Sequence, residues 1–382
     1  MRIVFLTFEF PPQGGGIGTY TFEMAKHLMN LGNEVIVLAH TNYRTKKEIK
    51  SFDEHQKFKI LRYKSYQNKL LKIINRIYFT FIVIKNIDFD LLFITYPTAG
   101  VLGMLSKFVF KLPYVIFGHG SEFNQKNIFS KKFISVTYSN ADLVIFNSFY
   151  TKGLAEDIGI RNRRNIVIPL GGDDEVFDIR KYDKDNLKIK FNLDRKIIIL
   201  SVGSLRLLKG HKIVINAIDI LRREIPSIIY FIIGEGPEQK KLWELVQKLK
   251  LEKYIKIVGA LTWAELVKYY AMCDIFILNS VYEKNNRQES FGIVFIEAAL
   301  MGKPVIGTRT GGIAEVIEHE KTGILIQPNS VYETVDGLKK LISNVKFANK
   351  LGENGYIKAK KNYTWRNVAL QTNFYLKKYF EN

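Results

Sequence analysis

The chain of 382 residues contains a single cysteine, Cys273, which excludes a disulfide framework and most thiolate metal sites and favours a reducing compartment. It also lacks the run of about 18 apolar residues that a membrane-spanning helix requires. The longest candidate, Ile77 to Ile84, is far shorter and contains Thr80. The first residues, Met1 to Phe8, predict a strand rather than a signal peptide, because no small-residue cleavage site follows them. We therefore expect a cytoplasmic protein that is soluble or peripheral on the inner face of the membrane.

Acidic residues are also scarce relative to basic ones. Asp and Glu number 37 against 57 Lys and Arg, which gives a formal charge of +20. Such an excess predicts an anionic partner, whether nucleic acid, an anionic membrane or a phosphorylated small molecule. With 47% hydrophobic and 25% charged residues, the composition excludes wholesale disorder. The length fits two domains.

Short apolar runs rich in Val, Ile and Leu alternate with amphipathic stretches in both halves of the chain. This pattern predicts parallel sheets covered by helices on both faces, hence an α/β protein of two doubly wound domains. The expected domains are 1–170 and 171–361, with a C-terminal helix near 362–382 returning to the first. The charged segment 171–195 is interpreted as a linker. Strands are expected at Ile3–Phe8, Val35–Ala39, Leu91–Thr95, Tyr114–Gly118, Leu143–Asn147, Ile166–Pro169, Ile197–Val202, Ile228–Gly234, Ile255–Val258, Ile275–Leu278, Pro304–Thr308 and Gly323–Ile326.

A glycine cluster, Gly14 to Gly16, follows the first expected strand and opens the first helix. Backbone amides at a helix N-terminus bind phosphate, because glycines permit close approach and the helix dipole favours an anion. The spacing is not G-x-G-x-x-G, no acid ends the second strand, and no Gly-Lys-Ser/Thr closes the loop. These departures weaken a dinucleotide or P-loop interpretation. An anion-facing loop remains, with a plain strand–helix turn as the alternative.

Two bases, Arg206 and Lys209, follow the first strand of the second half. They are expected near the carboxyl edge of the sheet, where open α/β sheets bind ligands. Two cations at that edge suit a diphosphate, because Arg grips two oxygens and Lys adds a point charge. The alternative is a pair of solvated loop bases.

Two acids, Glu289 and Glu297, flank the start of a later helix. Gly292 allows the helix N-terminus to approach a ligand, and the amides of Phe291 to Ile293 can face phosphate. An acid near a helix N-terminus also simply stabilises the helix. Glu297, however, lies in an apolar stretch, where an unpaired carboxylate would be costly.

The segment Glu289–Glu297 resembles the E-x7-E motif of the retaining glycosyltransferases of family 4, which use nucleotide sugars and have the GT-B fold. The likeness extends over nearly the whole chain in the order of the family. The other segments that resemble the family are PPQGGGIGTY, ADLVIFNS, IPLGGDDEVF, SVGSLRLLKG, FIIGEGPEQKKL, GKPVIG with the following GGIAEV, and the closing YTW. The resemblance implies two Rossmann-like domains facing across a cleft, an acceptor-binding domain of residues 1–170 and a donor-binding domain of residues 171–361.

The resemblance also implies roles for individual residues. Arg206 and Lys209 match the pair that neutralises the donor diphosphate. Glu289 matches the acid that binds the donor sugar, and Glu297 the acid that binds the ribose. His119 matches an active-site histidine, although by itself a histidine after a strand is more often a structural hydrogen-bonding group. The other implied donor-binding positions are Gly15, Gly16, Gly203, Gly234, Gly236, Leu261, Phe291, Gly292 and Ile293.

The function implied by the resemblance is retaining transfer of a sugar, expected to be a hexosyl group, from a UDP- or GDP-linked donor. The acceptor would be a hydroxyl of a surface glycan, a polysaccharide or a lipid-linked sugar. No metal or cofactor is expected, because cations and helix amides can stabilise the leaving phosphate. Asp88 and Asp90 resemble a metal-binding D-x-D but precede their strand, so we interpret them as surface charge. The polar run from Asn279 to Gln288 departs from the family pattern, so the resemblance does not identify the donor sugar.

Two alternatives remain from other classes. One is a nucleic-acid-binding α/β protein, which is supported only by the net charge of +20. The other is a GT-B phosphorylase or epimerase, which would act without a glycan acceptor.

The segment 55–87 contains no acid and interleaves its bases with aromatic and aliphatic residues. This composition is typical of a basic amphipathic helix on an anionic bilayer. It is also compatible with RNA binding or with a solvated face covering a core helix. The bases are Lys57, Lys59, Arg62, Lys64, Lys69, Lys72, Arg76 and Lys85.

Overall fold

The computed structural model describes residues 1–12, 15–41, 45–64, 66–125, 127–283 and 287–381. The chain divides into two compact units. Unit 1 contains Met1–Leu170 and Trp365–Asn382, and unit 2 contains Gly171–Thr364. Each unit is built on a parallel sheet with interleaved helices, so the predicted α/β class with two doubly wound units is confirmed.

Unit 1 has, in its described residues, a seven-stranded sheet of order β3-β2-β1-β4-β5-β6-β7. The strand order reverses between β1 and β4, so the loops after these strands open a crevice at the carboxyl edge. The strands are β1 Arg2–Leu6, β2 Glu34–His40, β3 Lys59–Tyr63, β4 Leu91–Ile94, β5 Tyr114–Gly118, β6 Leu143–Phe146 and β7 Asn165–Val167. The helices between them are α1 Gly16–Asn30, α2 Lys46–Glu54, α3 Lys69–Asn86, α4 Gly100–Phe110, α5 Ile128–Ser139 and α6 Phe149–Asp157.

Unit 2 has a six-stranded sheet of order β10-β9-β8-β11-β12-β13 in the part of the chain described. Its reversal lies between β8 and β11, so the segments that follow these two strands meet at one edge. The strands are β8 Ile197–Val202, β9 Ile228–Ile233, β10 Ile255–Gly259, β11 Ile275–Ile277, β12 Val305–Thr308 and β13 Ile324–Ile326. The helices are α7 Lys184–Lys190, α8 His211–Leu221, α9 Gln239–Lys248, α10 Trp263–Met272, α11 Ile293–Leu300, α12 Ile313–Val316, α13 Val331–Ser343 and α14 Val345–Asn362.

The final helix, α15 (Trp365–Phe380), belongs to unit 1 and packs on α1. The ring of Trp365 lies 6.0 Å from that of Tyr20, centroid to centroid. The Asn33 side-chain amide donates to Asn373 Oδ1 at 2.9 Å. These contacts attach the end of the chain to the first unit.

The interpretation of segment 171–195 as a linker is wrong, because its residues are packed within unit 2. Helix α7 lies in this segment and contacts α10. The Nζ atoms of Lys184 and Lys188 lie 2.7 and 2.8 Å from the carboxylate of Asp274. Two of the bases that indicate a solvated linker by composition therefore form ion pairs that attach the segment to its own domain.

The segment 55–87, whose composition is typical of a basic amphipathic helix, is only partly helical. The segment contains the edge strand β3 followed by the helix α3. Within β3, Arg62 donates to both carboxylate oxygens of Asp53, at 2.8 and 2.7 Å. An acid outside the segment thus neutralises one of its bases, and pairing with β2 holds the backbone extended.

Candidate active site

The two clusters of site residues predicted in the second half of the chain meet at the carboxyl edge of unit 2. One follows β8 and the other follows β11, and these strands are neighbours. The Val281 amide donates to the Leu208 carbonyl at 2.8 Å, which joins the two segments. Lys209 Nζ lies 2.5 Å from Glu289 Oε2, and each side chain is only 16% exposed. The structure therefore brings together a cation and an acid that are far apart in sequence.

Two glycines allow the backbone segments around this ion pair to approach each other. Gly210 has a left-handed φ of 60°, and a Cβ there would lie 1.7 Å from the carbonyl oxygen of Asn279. A Cβ on Gly234 would lie 2.0 Å from the carbonyl oxygen of Gly203. The Cε atom of Lys209 would be 3.5 Å from a Cβ on Gly203. A side chain at Gly210 or Gly234 would push apart the loops that carry the site, whereas one at Gly203 would make ordinary contact with Lys209.

Glu297 lies inside α11 and is 5% exposed. The hydroxyl of Tyr270 donates to Glu297 Oε2 at 2.6 Å, which supplies the partner that the apolar sequence did not reveal. Burial raises the pKa of Glu297 to about 7, against the opposing effects of this hydrogen bond and of the Lys209 charge. The protonation of this buried carboxyl group therefore changes near neutral pH.

Glu297→Gln is expected to remove a pH-dependent loss of stability. Because the folded pKa of about 7 exceeds the ordinary value of 4.5, the native state binds more protons than the unfolded state between these pH values. The free energy of unfolding therefore falls as pH rises through this range, by at most about 1.4 kcal/mol per pH unit from this group. Denaturant titrations at several pH values would measure the slope.

The matched control is Glu353→Gln, which changes an exposed glutamate of the same unit. The free energy of unfolding of this control should depend on pH with the same slope as that of the unchanged protein. If Glu297→Gln showed the same slope as that control, the assignment of the titration to Glu297 would be wrong.

The segment that carries Glu289 is held by the backbone after β12. The Gly312 amide donates to the Glu289 carbonyl at 3.0 Å, and the Gly311 amide donates to Gln288 Oε1 at 2.6 Å. Gly292 then precedes α11 with a φ of 85°. Of the polar run in which the sequence departs from the family, residues 284–286 lie outside the described part of the chain.

Other predicted residues of unit 2 are near the same edge without joining the ion pair. Arg206 is exposed, has no ion pair within the described residues, and lines a cavity of about 470 Å³. Gly236 follows β9, and Leu261 follows β10 and is half-buried. Phe291 is buried, and Ile293 is the first residue of α11.

His211 was missed by the sequence analysis. It is buried at the start of α8 and lines the same cavity as Arg206. Burial and the nearby Lys209 charge lower the pKa of His211 to about 4. Its position directly after the Lys209-Gly210 pair is the sequence signal that could have found it.

His119 lies at the carboxyl edge of unit 1, directly after β5. Its Nε2 lies 2.8 Å from the carbonyl oxygen of Thr95, and its backbone amide donates to Glu122 Oε1 at 2.7 Å. Burial lowers the pKa of His119 to about 4, so the imidazole is neutral at pH 7. Because a carbonyl only accepts, Nε2 holds the proton and Nδ1 is left as an acceptor.

The glycine loop of unit 1 lies against a carboxylate of the chain itself. The amide of Gly18 donates to Glu9 Oε1 at 3.0 Å. A Cβ on Gly15 would lie 1.9 Å from the same oxygen, and Gly16 begins α1. Gln13 and Gly14 fall outside the described residues. Glu9 is thus the anion beside the α1 amides in this structure.

Asp88 and Asp90, the D-x-D resemblance, lie before β4 at the opposite edge. Arg2 binds both: its Nη1 donates to Asp88 Oδ2 at 2.8 Å, and its backbone amide to Asp90 Oδ2 at 2.7 Å. The Asp88 side chain is 94% exposed. Both aspartates are therefore placed as the sequence analysis expected, as surface charge away from the carboxyl edge.

Comparison with known proteins identifies the family. The model described as Glycosyl transferases group 1 matches residues 183–358, and the Glycosyltransferase Family 4 model matches residues 14–176. An uncharacterized glycosyltransferase of Methanocaldococcus jannaschii is 26% identical over 291 residues, which cover 75% of each chain. A GDP-mannose-dependent alpha-(1-6)-phosphatidylinositol monomannoside mannosyltransferase of Mycobacterium tuberculosis is 26% identical over 230 residues, or 60% of each chain.

A solved structure shows the same fold. The crystal structure of Anabaena HepE in complex with UDP matches with a TM-score of 0.84 at 21% identity, and the match covers 99% of this chain and 100% of that one. The predicted GT-B fold is thereby confirmed. With both family models matching in order along the chain, the protein belongs to the family 4, group 1 glycosyltransferases.

Proposed function

We propose that this glycosyltransferase moves a hexosyl group from a nucleotide diphosphate sugar, bound by unit 2, to a hydroxyl of a glycan or lipid-linked acceptor bound by unit 1. The observation that carries the proposal is the Lys209–Glu289 pair at the strand-order reversal of unit 2, with Glu297 buried in the helix α11 that follows Glu289. A UDP- or GDP-linked donor is supported by the relatives. HepE is crystallised with UDP and with UDP-glucose, and the mycobacterial mannosyltransferase is GDP-mannose-dependent.

In the proposed reaction the bond between sugar C1 and the diphosphate oxygen breaks. A bond from C1 to the acceptor oxygen forms on the same face, with retention of configuration, and the hydroxyl proton is released. Lys209 and Arg206 stabilise the negative charge that builds on the leaving phosphate, so no metal ion is required. Glu289 accepts hydrogen bonds from the donor sugar, and Glu297 from the ribose.

The positions in unit 1 have supporting roles in this proposal. His119 accepts a hydroxyl hydrogen bond through Nδ1, since Nε2 is engaged by Thr95. The loop of Gly15 and Gly16 approaches the substrates. In unit 2, the donor site is lined by Gly203, Gly234, Gly236, Leu261, Phe291, Gly292 and Ile293.

A donor panel tests the proposal. UDP-, GDP- and ADP-sugars would be compared by thermal shift, because a ligand that binds only the native state raises Tm. We expect one nucleotide class to raise Tm and to be turned over in excess EDTA. The donor assignment fails if no nucleotide sugar stabilises the protein. The metal-free mechanism fails if chelation abolishes turnover and Mg²⁺ or Mn²⁺ restores it.

We also propose that unit 1 contacts an anionic membrane surface through α3 and its neighbours. Among the residues described, no helix is both long and apolar enough to cross a bilayer. Many large apolar side chains of α3 are nevertheless exposed, and the Phe81 ring packs edge-on against Phe110 of α4, with ring centroids 5.3 Å apart. We call the exposed apolar residues of α3 the apolar face; it comprises Leu70, Leu71, Ile73, Ile74, Ile77, Tyr78 and Ile82.

Charge determines the occupant that we propose for the apolar face. The segment 55–87 has no acid, and Lys57, Lys59 and Lys85 are exposed. Exposed bases around inserted apolar side chains suit anionic lipid headgroups. The side chain of Lys69 is outside what the structure describes.

Replacing Leu70, Leu71 and Ile74 with serine is expected to weaken binding to anionic vesicles by about tenfold or more, because apolar area no longer enters the bilayer interface. Binding of the unchanged protein should also fall as salt rises, since the attraction acts over a Debye length of about 8 Å. Vesicle sedimentation measures both effects.

The control replaces Tyr332 and Val345, which are exposed apolar residues of unit 2, with serine. It should bind vesicles normally. Equal binding to neutral and anionic vesicles would contradict the role of charge, and binding to neither would show that the apolar face is a solvated surface.

A further inference from the structure

Arg76 is a base of the 55–87 segment that turns away from solvent. It belongs to α3 and is half-buried. Its guanidinium carbon lies 3.7 Å from the centroid of the Phe8 ring. Phe8 follows β1, at the strand-order reversal of unit 1. Arg76 therefore reaches the edge at which open α/β sheets bind ligands.

The charge of Arg76 has no counter-ion within the described part of the chain. Its Nε is buried without a hydrogen-bond partner, whereas the terminal nitrogens are not among the buried unpaired atoms. Arg62, in the same segment, is fully engaged by Asp53 and by the carbonyl of His40. An uncompensated, partly desolvated cation is costly, so a functional reason for it is expected.

Aromatic residues at the carboxyl ends of three strands meet at the Phe8 ring, over which this guanidinium lies. Tyr63 ends β3 and Tyr96 follows β4, and their ring centroids lie 6.3 and 5.2 Å from that of Phe8. The Tyr63 hydroxyl is buried. Burial raises the pKa of Tyr63, and the charge of Arg76 and a hydrogen bond with its side chain partly oppose this effect. The guanidinium and the hydroxyl are therefore neighbours at one point of the edge.

This cluster is on the same edge as His119. Tyr96 is next to Thr95, whose carbonyl oxygen is bound by His119 Nε2 at 2.8 Å. The strands β4 and β5 that precede Tyr96 and His119 are adjacent. A molecule held at His119 would thus extend toward Arg76 within unit 1.

We propose that Arg76, with the Tyr63 hydroxyl beside it, binds an anionic group of the acceptor, a phosphate or a carboxylate. The guanidinium offers a planar fork of donors that matches either oxyanion. The aromatic rings supply an apolar floor for the carbon skeleton that carries it. The acceptor is then an acidic sugar or glycan. This inference rests on the proposed function, because it assigns the acceptor to unit 1.

The test uses the full chain and three related probes: glucose 6-phosphate, glucuronic acid and glucose. Titration calorimetry or ligand-detected NMR should show at least one anionic probe binding about tenfold or more tightly than glucose, the scale of a hydrogen bond to a charged group. The anionic probe that binds more tightly shows whether the site prefers a phosphate or a carboxylate. Arg76→Gln should abolish the preference, and Arg76→Lys should retain part of it.

Arg164→Gln is the matched control. Arg164 also lies over an aromatic ring, that of Tyr379 at 5.3 Å, in the same unit but at the amino end of β7. It should keep the preference for anionic probes. Equal binding of the three probes, no binding of any, or an equal loss in both variants would overturn the inference. Nucleotide binding by the same samples is a separate readout, so a failure of the donor proposal is distinguishable.

Discussion

Lys209→Ala and Glu289→Ala are each expected to lower turnover by about a hundredfold or more, while the fold remains intact. Lys209 is proposed to stabilise charge on the leaving diphosphate, and Glu289 to orient the donor sugar. The two side chains are 2.5 Å apart and only 16% exposed, so each also holds the other in position. Because they act on one substrate and touch each other, the double variant should lose less than the sum of the two single losses, expressed in activation free energy.

Steady-state kinetics with the donor identified by the panel would measure these losses. Lys339→Ala is the control, because it breaks a comparable ion pair with Glu224, at 2.7 Å, between side chains that are more exposed. It should retain normal turnover. Activity equal to that of the unchanged protein in either well-folded site variant would refute the site assignment.

Gly210→Ala is expected to cause a loss of stability of about 3 kcal/mol or more, at the upper end of what single substitutions do. A Cβ at Gly210 would lie 1.7 Å from the Asn279 carbonyl oxygen and 2.8 Å from its carbon, and both atoms are backbone. The loops after β8 and β11 would have to separate. Since these loops carry Lys209 and Glu289, turnover should fall as well.

Gly302→Ala separates this steric effect from backbone strain. Gly302 has a φ of 66°, close to the 60° of Gly210, but a Cβ there would meet nothing within 4 Å. Gly302→Ala should therefore lower the free energy of unfolding only by the cost of placing alanine in a left-handed conformation, roughly 1 to 2 kcal/mol. Chemical denaturation of both variants gives the comparison. Equal losses would show that the close approach to Asn279 is not what requires glycine at position 210.

Several elements could be predicted from the sequence with their observed limits. Tyr114–Gly118 and Ile197–Val202 are strands as expected, because continuous apolar runs between polar segments leave little choice of boundary. The start of the helix Trp263–Met272 is likewise encoded locally, since Thr262 and Glu265 form a capping box there. Local composition is sufficient for such elements.

The strand Lys59–Tyr63 could not be predicted in this way. It is an edge strand with bases at two of its positions, and its local composition resembles that of the helix after it. Its extended form depends on pairing with β2, from Ile36 to His40, and on Asp53 for Arg62. These partners come from outside the segment, so only the folded chain determines the strand.

By itself, the sequence determined the α/β class, the family and the order of the motifs that contain Lys209, Glu289 and Glu297, because these depend on residue type and spacing along the chain. Only the tertiary structure decided which side chains meet. It joined Lys209 to Glu289, gave Glu297 the hydroxyl of Tyr270, and left Arg76 over Phe8 with no counter-ion among the residues that the structure describes. The physical reason is that ion pairs, burial and hydrogen bonds act over a few ångströms between residues distant in sequence, and the packing of strands and helices sets those distances.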